Sequence, residues 1–308
     1  MIPHMIQLMK FRKIYYIFSG ALALASVLAL VFWGLNLGID FKGGSLLFGE
    51  FNKQALSQEE IKETVKDIGL GEVIIQLTGE KEVTLRFNEA DESKRRQLVG
   101  ALQSAAQNKD KENNFTQKSF ESVGPSIGKE LRSKAAKAVV IVLIFIIGYV
   151  AFAFRKVSRP LASWKYGAAT LIALFHDVLL PLGLFSALGH FDKSVEISSG
   201  FIAAILTVLG YSVHDSIIVF DRVRENLIKN PGKNFEEIAN ISVNQTFIRS
   251  LNTSLTVILV LLAVYLFGGE SIRNIALVLI AGIGVGTYSS IFIGSSLLVS
   301  WSKRWQRG

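Results

Sequence analysis

Six stretches of this chain, near residues 14–36, 135–154, 163–188, 197–219, 247–267 and 274–300, are apolar over lengths close to or above the roughly 20 residues that a helix needs to cross a bilayer core. The solvent for much of the chain is therefore lipid. Half of the 308 residues are hydrophobic and 19% are charged, whereas a soluble domain carries about a quarter charged residues. The first stretch has no charge and ends on Val31-Phe32-Trp33, an aromatic anchor for the membrane interface. It is too long for a removed signal peptide and lacks a small-residue cleavage site, so a retained anchor is expected. With no cysteine, the chain has no disulfide, thiol catalysis, iron-sulfur cluster or Cys-ligated zinc. Four scattered histidines offer no metal-ligand spacing. No serine-histidine-acid set, Walker sequence or nucleotide fingerprint is present, so neither enzymatic chemistry nor a cofactor is expected.

The net charge of +8 is unevenly spread. Residues 40–130 contain 13 Lys and Arg against 16 Asp and Glu. The basic excess lies beside the apolar stretches, which does not fit a nucleic-acid surface. Four clusters stand out: Lys10, Arg12 and Lys13; Arg155, Lys156, Arg159 and Lys165; Arg222, Arg224, Lys229 and Lys233; and Lys303, Arg304 and Arg307. They fall before the first stretch and after the second, fourth and sixth. Since Lys and Arg in short loops mark the cytoplasmic side, this alternation predicts six spans with both termini in the cytoplasm. Arg132, Lys134 and Lys137, just before the second stretch, are the misfit.

By the same alternation the one long polar segment lies outside the cytoplasm. The chain is thus divided into 1–37 (N-terminus and first helix), 38–131 (an extracytoplasmic α+β domain) and 132–308 (helices 2–6 and C-terminus). Within the domain, 45–51 reads as a strand and Ser57-Gln58-Glu59-Glu60 as a capping box opening a helix to about Ile68. Residues 72–78 and 82–87 flank the turn signal Gly79-Glu80. A helix over 92–107 and a strand over 115–123 complete a β-α-β-β-α-β order, which matches the ferredoxin-like split βαβ arrangement.

An ionisable group inside a span costs about 2.5–3.5 kcal/mol, so each one needs a reason. Asp177, Asp215 and Arg249 are such groups. Ala203, Thr207 and Tyr211 share a helical face with Asp215, and Arg249, Asn252, Thr253 and Thr256 share one on the fifth span. The two polar faces are expected to look at each other or into water. Asp215 and Arg249 both fall in the cytoplasmic half, where they read either as a proton-loading pair or as a structural ion pair locking two helices. An Asp hydrating at the interface is a third reading. Asp177 lies near mid-span with Pro181 four residues later, which removes the helical partner of the Asp177 carbonyl. That polar spot is a candidate second proton site, with Tyr211, Asn252 and Thr253 as further polar candidates; His176 reads equally as helix packing. Gly282, Gly286, Ser290 and Gly294 form a small-residue ladder that admits a close helix, with packing inside this chain favoured over partner contact. Gly43-Gly44 supplies permissive dihedrals for a sharp exit into the first strand.

Several segments together resemble the SecF family of bacterial protein-export subunits: Gly38-Ile39-Asp40-Phe41-Lys42-Gly43-Gly44, Val123-Gly124-Pro125-Ser126-Ile127-Gly128, and the long run Gly210-Tyr211-Ser212-Val213-His214-Asp215-Ser216 through Asn226. Asn244-Gln245-Thr246, Arg249-Ser250 and Asn252-Thr253-Ser254 extend the likeness over essentially the whole chain. His214 departs from it, since the family more often has Asn there. The resemblance implies a multi-pass protein of the cytoplasmic membrane, related to resistance-nodulation-division exporters, that uses the proton motive force to assist preprotein export. It implies pairing with SecD, work beside SecYEG and indirectly with SecA, and association with YajC and YidC. It also implies Asp215 as the proton carrier and Arg249 as its partner. A proton-coupled small-molecule exporter and a passive scaffold are the alternatives.

Overall fold

Apolar runs become helices that overshoot the runs wherever the polar flanks also favour helix. In the computed structural model, which describes residues 6–88, 91–155 and 161–305, six helices are long and apolar enough to cross a membrane. They are α1 (Arg12–Trp33), with a four-residue helix α2 (Ile39–Lys42) after it, then, beyond the polar segment, α5 (Pro125–Ala153), α6 (Ser163–Phe191), α7 (Ser199–Lys229), α8 (Phe235–Phe267) and α9 (Glu270–Ser289). The sixth span continues from α9 through a π-helical turn, Ser290–Gly294, into α10 (Ser295–Trp305). The fifth starts about three turns sooner than its apolar run because Asn234 caps the backbone of Glu236, and Glu236 and Glu237 complement the positive helix end. The second starts at Pro125, whose missing N–H costs nothing in the first turn. This puts Arg132, Lys134 and Lys137 on helix, where Lys134 pairs with Glu130 at 2.7 Å. Lys156, Arg159 and Arg307 lie outside the described residues.

The chain forms two units, 1–36 with 137–308 and 37–136. In the first, α6, α7 and the sixth span make the centre, each with 50% of its apolar window buried, against 6–11% for the other three spans. Close approach at the centre depends on small residues. A Cβ on Gly282 would collide with the Val208 side chain, and one on Gly286 would stand 3.1 Å from Ser212, so the small-residue ladder packs against α7 inside this chain. Between α1 and α6, Gly183 leaves the same room for Ser26. The ends of the bundle are tied by polar groups. At one end Glu236 receives Arg12 at 2.7 Å and also Lys303, joining the starts of α1 and α8 to the end of α10. At the other, the Asn36 amide donates to the carbonyls of Lys193 and Val195, and Asn274 to that of Ser194.

The second unit is a four-stranded antiparallel sheet in the order β2-β3-β1-β4, formed by β1 (Gly44–Phe51), β2 (Ile74–Thr78), β3 (Glu82–Phe87) and β4 (Phe115–Val123). Two helices, α3 (Gln58–Val65) and α4 (Glu92–Lys109), return the chain between parallel-directed strands, as the split βαβ expectation requires. Register runs Ser45 opposite Phe87 on one side of β1 and Ser45 opposite Ser122 on the other. Lys118 is the extra residue of a bulge between Phe48 and Gly49, and the Phe115 ring lies where a Gly49 side chain would be. Leu47, Phe51, Ile61, Leu85, Leu98 and Leu102 make the core beneath the helices. Both members of the capping box are formed: Ser57 Oγ accepts from the Glu60 N–H at 3.2 Å and Glu60 Oε2 from the Ser57 N–H at 2.7 Å. Gly43 and Gly44 have φ of +80° and +130°, and side chains there would meet Pro125 and the Phe87 carbonyl.

Candidate functional site

The polar residues of α7 and α8 sort by helical phase, and the phase decides which can meet. Asp215 is on the buried side of α7, 5% exposed. Facing it on α8 is Ser250, whose hydroxyl donates to Asp215 Oδ1 at 2.6 Å. The second carboxylate oxygen, Oδ2, is buried with no hydrogen-bond partner among the described residues. One turn back on α7, the Tyr211 hydroxyl lies 2.9 Å from Ser254 Oγ, which also meets Thr287 of α9.

Arg249 is not in this site. It is exposed, as are Asn252, Thr253 and Thr256 on the same face of α8, and among the described residues no ion pair joins it to Asp215. Of the two expectations for these polar faces, the meeting with Asp215 is not made, and the outward one fits, since Ala203 and Thr207 of α7 are exposed as well. The face of α8 that reaches α7 and α9 carries Ser242, Thr246, Ser250 and Ser254, all buried at intervals of four residues. One residue along a helix is a rotation of about 100°, enough to turn Arg249 outward while its neighbour Ser250 points in. Hydroxyls carry a weaker sequence signal than charges, because Ser and Thr are common in spans and Asp and Arg are not. The signal of these four was nonetheless present as a strict four-residue spacing. A buried hydroxyl is also cheap in a helix, since Thr246 and Ser254 bond back to the carbonyls of Ser242 and Ser250.

Asp177 stands apart from Asp215 and is fully buried in α6. Its Oδ2 accepts from Ser289 Oγ of α9 at 2.7 Å and from Ser212 Oγ of α7; its Oδ1 lies 3.2 Å from His176 Nδ1. Ser212 and Asp215 are three residues apart on α7, so this helix carries one carboxylate and, about one turn earlier, a hydroxyl that holds the other. Among the described residues no group of three or more His, Cys, Asp or Glu is placed to hold a metal ion.

A family model described as "Protein export membrane protein SecD/SecF, C-terminal" matches residues 103–304, and one described as "SecD/SecF GG Motif" matches 29–47. The protein translocase subunit SecF of Thermobaculum terrenum is 40% identical over 97% of this chain and 95% of its own length. That of Haemophilus influenzae is 38% identical over 94% of this chain and 84% of its own. The crystal structure of SecDF, a translocon-associated membrane protein from Thermus thermophilus, superposes with a TM-score of 0.82 at 33% identity. It covers 99% of this chain, which spans 40% of the SecDF chain's length.

Proposed function

The chain belongs to the SecD/SecF family of protein-export membrane proteins, a multi-pass protein of the cytoplasmic membrane, and from that premise we propose that it couples the proton motive force to preprotein export through Asp215. The observation that carries this reading is a carboxyl group buried in the membrane bundle with one oxygen held by Ser250 and the other without a partner. A charge in such a place needs either a proton or a counter-ion. A half-satisfied carboxyl is therefore suited to taking up and giving back a proton as its surroundings change.

Arg249 sits one residue from the Asp215 donor. A rotation of α8 by a fraction of a turn would exchange Ser250 for the guanidinium, which can fork onto both carboxylate oxygens. Such exchange favours the ionised form in one arrangement and the protonated form in the other. A transmembrane potential biases the two, since each charge moved through 100 mV is worth about 2.3 kcal/mol.

The charges favour one orientation. Arg12, Glu236 and Lys303 gather at the end of the bundle that carries the basic loops, which supports both termini being cytoplasmic and residues 38–131 lying outside. The exposed Arg249, Asn252, Thr253 and Thr256 would be costly against lipid. A SecD-like half, in the position of the remainder of the longer SecDF chain, is the natural cover. SecYEG is the channel it would serve, with YidC and YajC as neighbours and SecA supplying the separate ATP-driven push. The test is export in cells depleted of the native copy. Asp215→Asn should insert and assemble yet lose gradient-dependent export, and Asp215→Asn with Arg249→Gln should stay inactive; full rescue by the double variant would instead mark the two as a structural pair.

A further inference from the structure

We propose that His176 and Asp177 form a second proton-exchanging site, and that Ser212 ties its protonation to that of Asp215. This inference rests on the reading of Asp215 as a proton carrier and adds a site about one turn away along α7.

Asp177 has three contacts from three places: Ser212 on α7, Ser289 on α9 and His176 beside it on α6. Gly286 makes room for them, since a Cβ there would stand 3.1 Å from Ser212 Cβ and 3.7 Å from Asp177 Oδ2. Among the described residues no Lys or Arg pairs with Asp177, and its one ion-pair contact is the imidazole. The carboxylate with a neutral imidazole would hold an uncompensated charge deep in the bundle, whereas one more proton, on either group, makes the pair neutral overall. The proton then belongs to the pair.

The far nitrogen of the imidazole shows where it enters. His176 is 7% exposed, yet its Nε2 has no hydrogen-bond partner among the described residues. A histidine kept only for packing or for bracing an acid would be expected to have that nitrogen filled. A proton arriving at Nε2 and the release of the Nδ1 proton to Asp177 Oδ1 would move one proton inward and leave the ring neutral in its other tautomer. The backbone around the site is loosened in two places. Pro181 cannot bond the Asp177 carbonyl, and the π-helical turn Ser290–Gly294 begins directly after Ser289.

The groups facing this pair are few. Sequence position puts Asp215 one turn along α7, with His214 exposed on the other face of that helix. From α9 the Tyr288 ring lies 6.5 Å from that of His176, and its hydroxyl meets Ser19 of α1 at 3.0 Å. Tyr15 of α1 offers its carbonyl to the same hydroxyl. Lys303 on α10 is engaged by Glu236, and Arg249 of α8 is exposed. The coupling to Asp215 runs through shared helices. Ser212 and Asp215 ride on α7, so a rotation that frees Asp215 from Ser250 also draws Ser212 off Asp177. A second link passes through Thr287 of α9, two residues before Ser289, to Ser254 and from its hydroxyl to the Ser250 carbonyl.

The test is infrared difference spectroscopy of the chain assembled with its SecD-like partner in vesicles, following the protonated-carboxyl stretch through a pH titration. Two buried components are expected, one removed by Asp215→Asn and the other by Asp177→Asn. His176→Gln should keep the Asp177 component but slow its response to a pH jump about a hundredfold, the loss of a positioned proton donor. Ser212→Ala should move the midpoints of both components. An unchanged spectrum in Asp177→Asn overturns the proposal. If that variant does not assemble, Ser289→Ala takes its place, and an unmoved Asp177 midpoint overturns it equally. Because the Asp177 component is read without export, normal export by Asp215→Asn would refute the proposed function while leaving this component to be judged by itself.

Discussion

Gly286 shows how far one atom matters in the bundle. A methyl group there meets Ser212 Cβ at 3.1 Å, while two residues away Gly284 has nothing within 4 Å of the same added atom. Gly286→Leu should therefore push α9 from α7 and cost on the order of 1–3 kcal/mol by overpacking, whereas Gly284→Leu should be tolerated. Thermal unfolding of the purified protein in detergent separates the two, and equal loss in both would contradict the packing described. The same scale explains what could be read at the polar residues. Asp215, Asp177 and Arg249 announce themselves because charge is rare in a span. Ser250 and Ser212, which hold the two acids, are chemically ordinary and gain meaning only from the direction in which they point.

Among the elements, α3 was legible almost to the residue, because its start is written in local hydrogen bonds. Ser57→Ala removes the cap and should lower the protection of α3 amides in hydrogen exchange by about 1 kcal/mol. The capping box also makes α3 sensitive to acid. Lys109, reaching the Glu60 carboxylate at 2.7 and 2.9 Å, and then the Ser57 N–H hold that carboxyl below its ordinary value of 4.5. A carboxyl depressed in the folded state stabilises fully above its unfolded value and loses that contribution as pH falls through the folded one. Exchange at α3 should accordingly rise below about pH 4.5, and Glu60→Gln should flatten that part of the profile. Glu92, held at about 2 by Arg95 and then Arg96, keeps its charge to lower pH. The strands were legible too, from alternation and the Gly79 turn. On α8 the helix was legible but its inward face was not. Hydrophobic residues surround that helix on all sides, so no apolar stripe marks the buried face, and the polar residues fall on two neighbouring faces one residue apart.

For the whole molecule, two expectations concern what meets the bundle from outside. A cysteine replacing Asn252 or Thr256 on the exposed face of α8 should crosslink to a SecD-like partner, while one replacing the buried Ser250 should not. Crosslinking in the reverse order would mean that α8 presents its other face. A cysteine at Gln103 should react with an impermeant reagent added from outside intact cells, and labelling only after the membrane is opened would invert the topology. Composition and periodicity by themselves determined the six spans, the α+β order of the polar segment and the two intramembrane acids, because length, apolarity and caps are local properties of the chain. Which hydroxyl reaches which acid was decided only in the tertiary structure. That outcome depends on the rotation of each helix about its axis, set by where glycines let α9 approach α7 and α1 approach α6, and a step of one residue in that rotation exchanges a serine for an arginine.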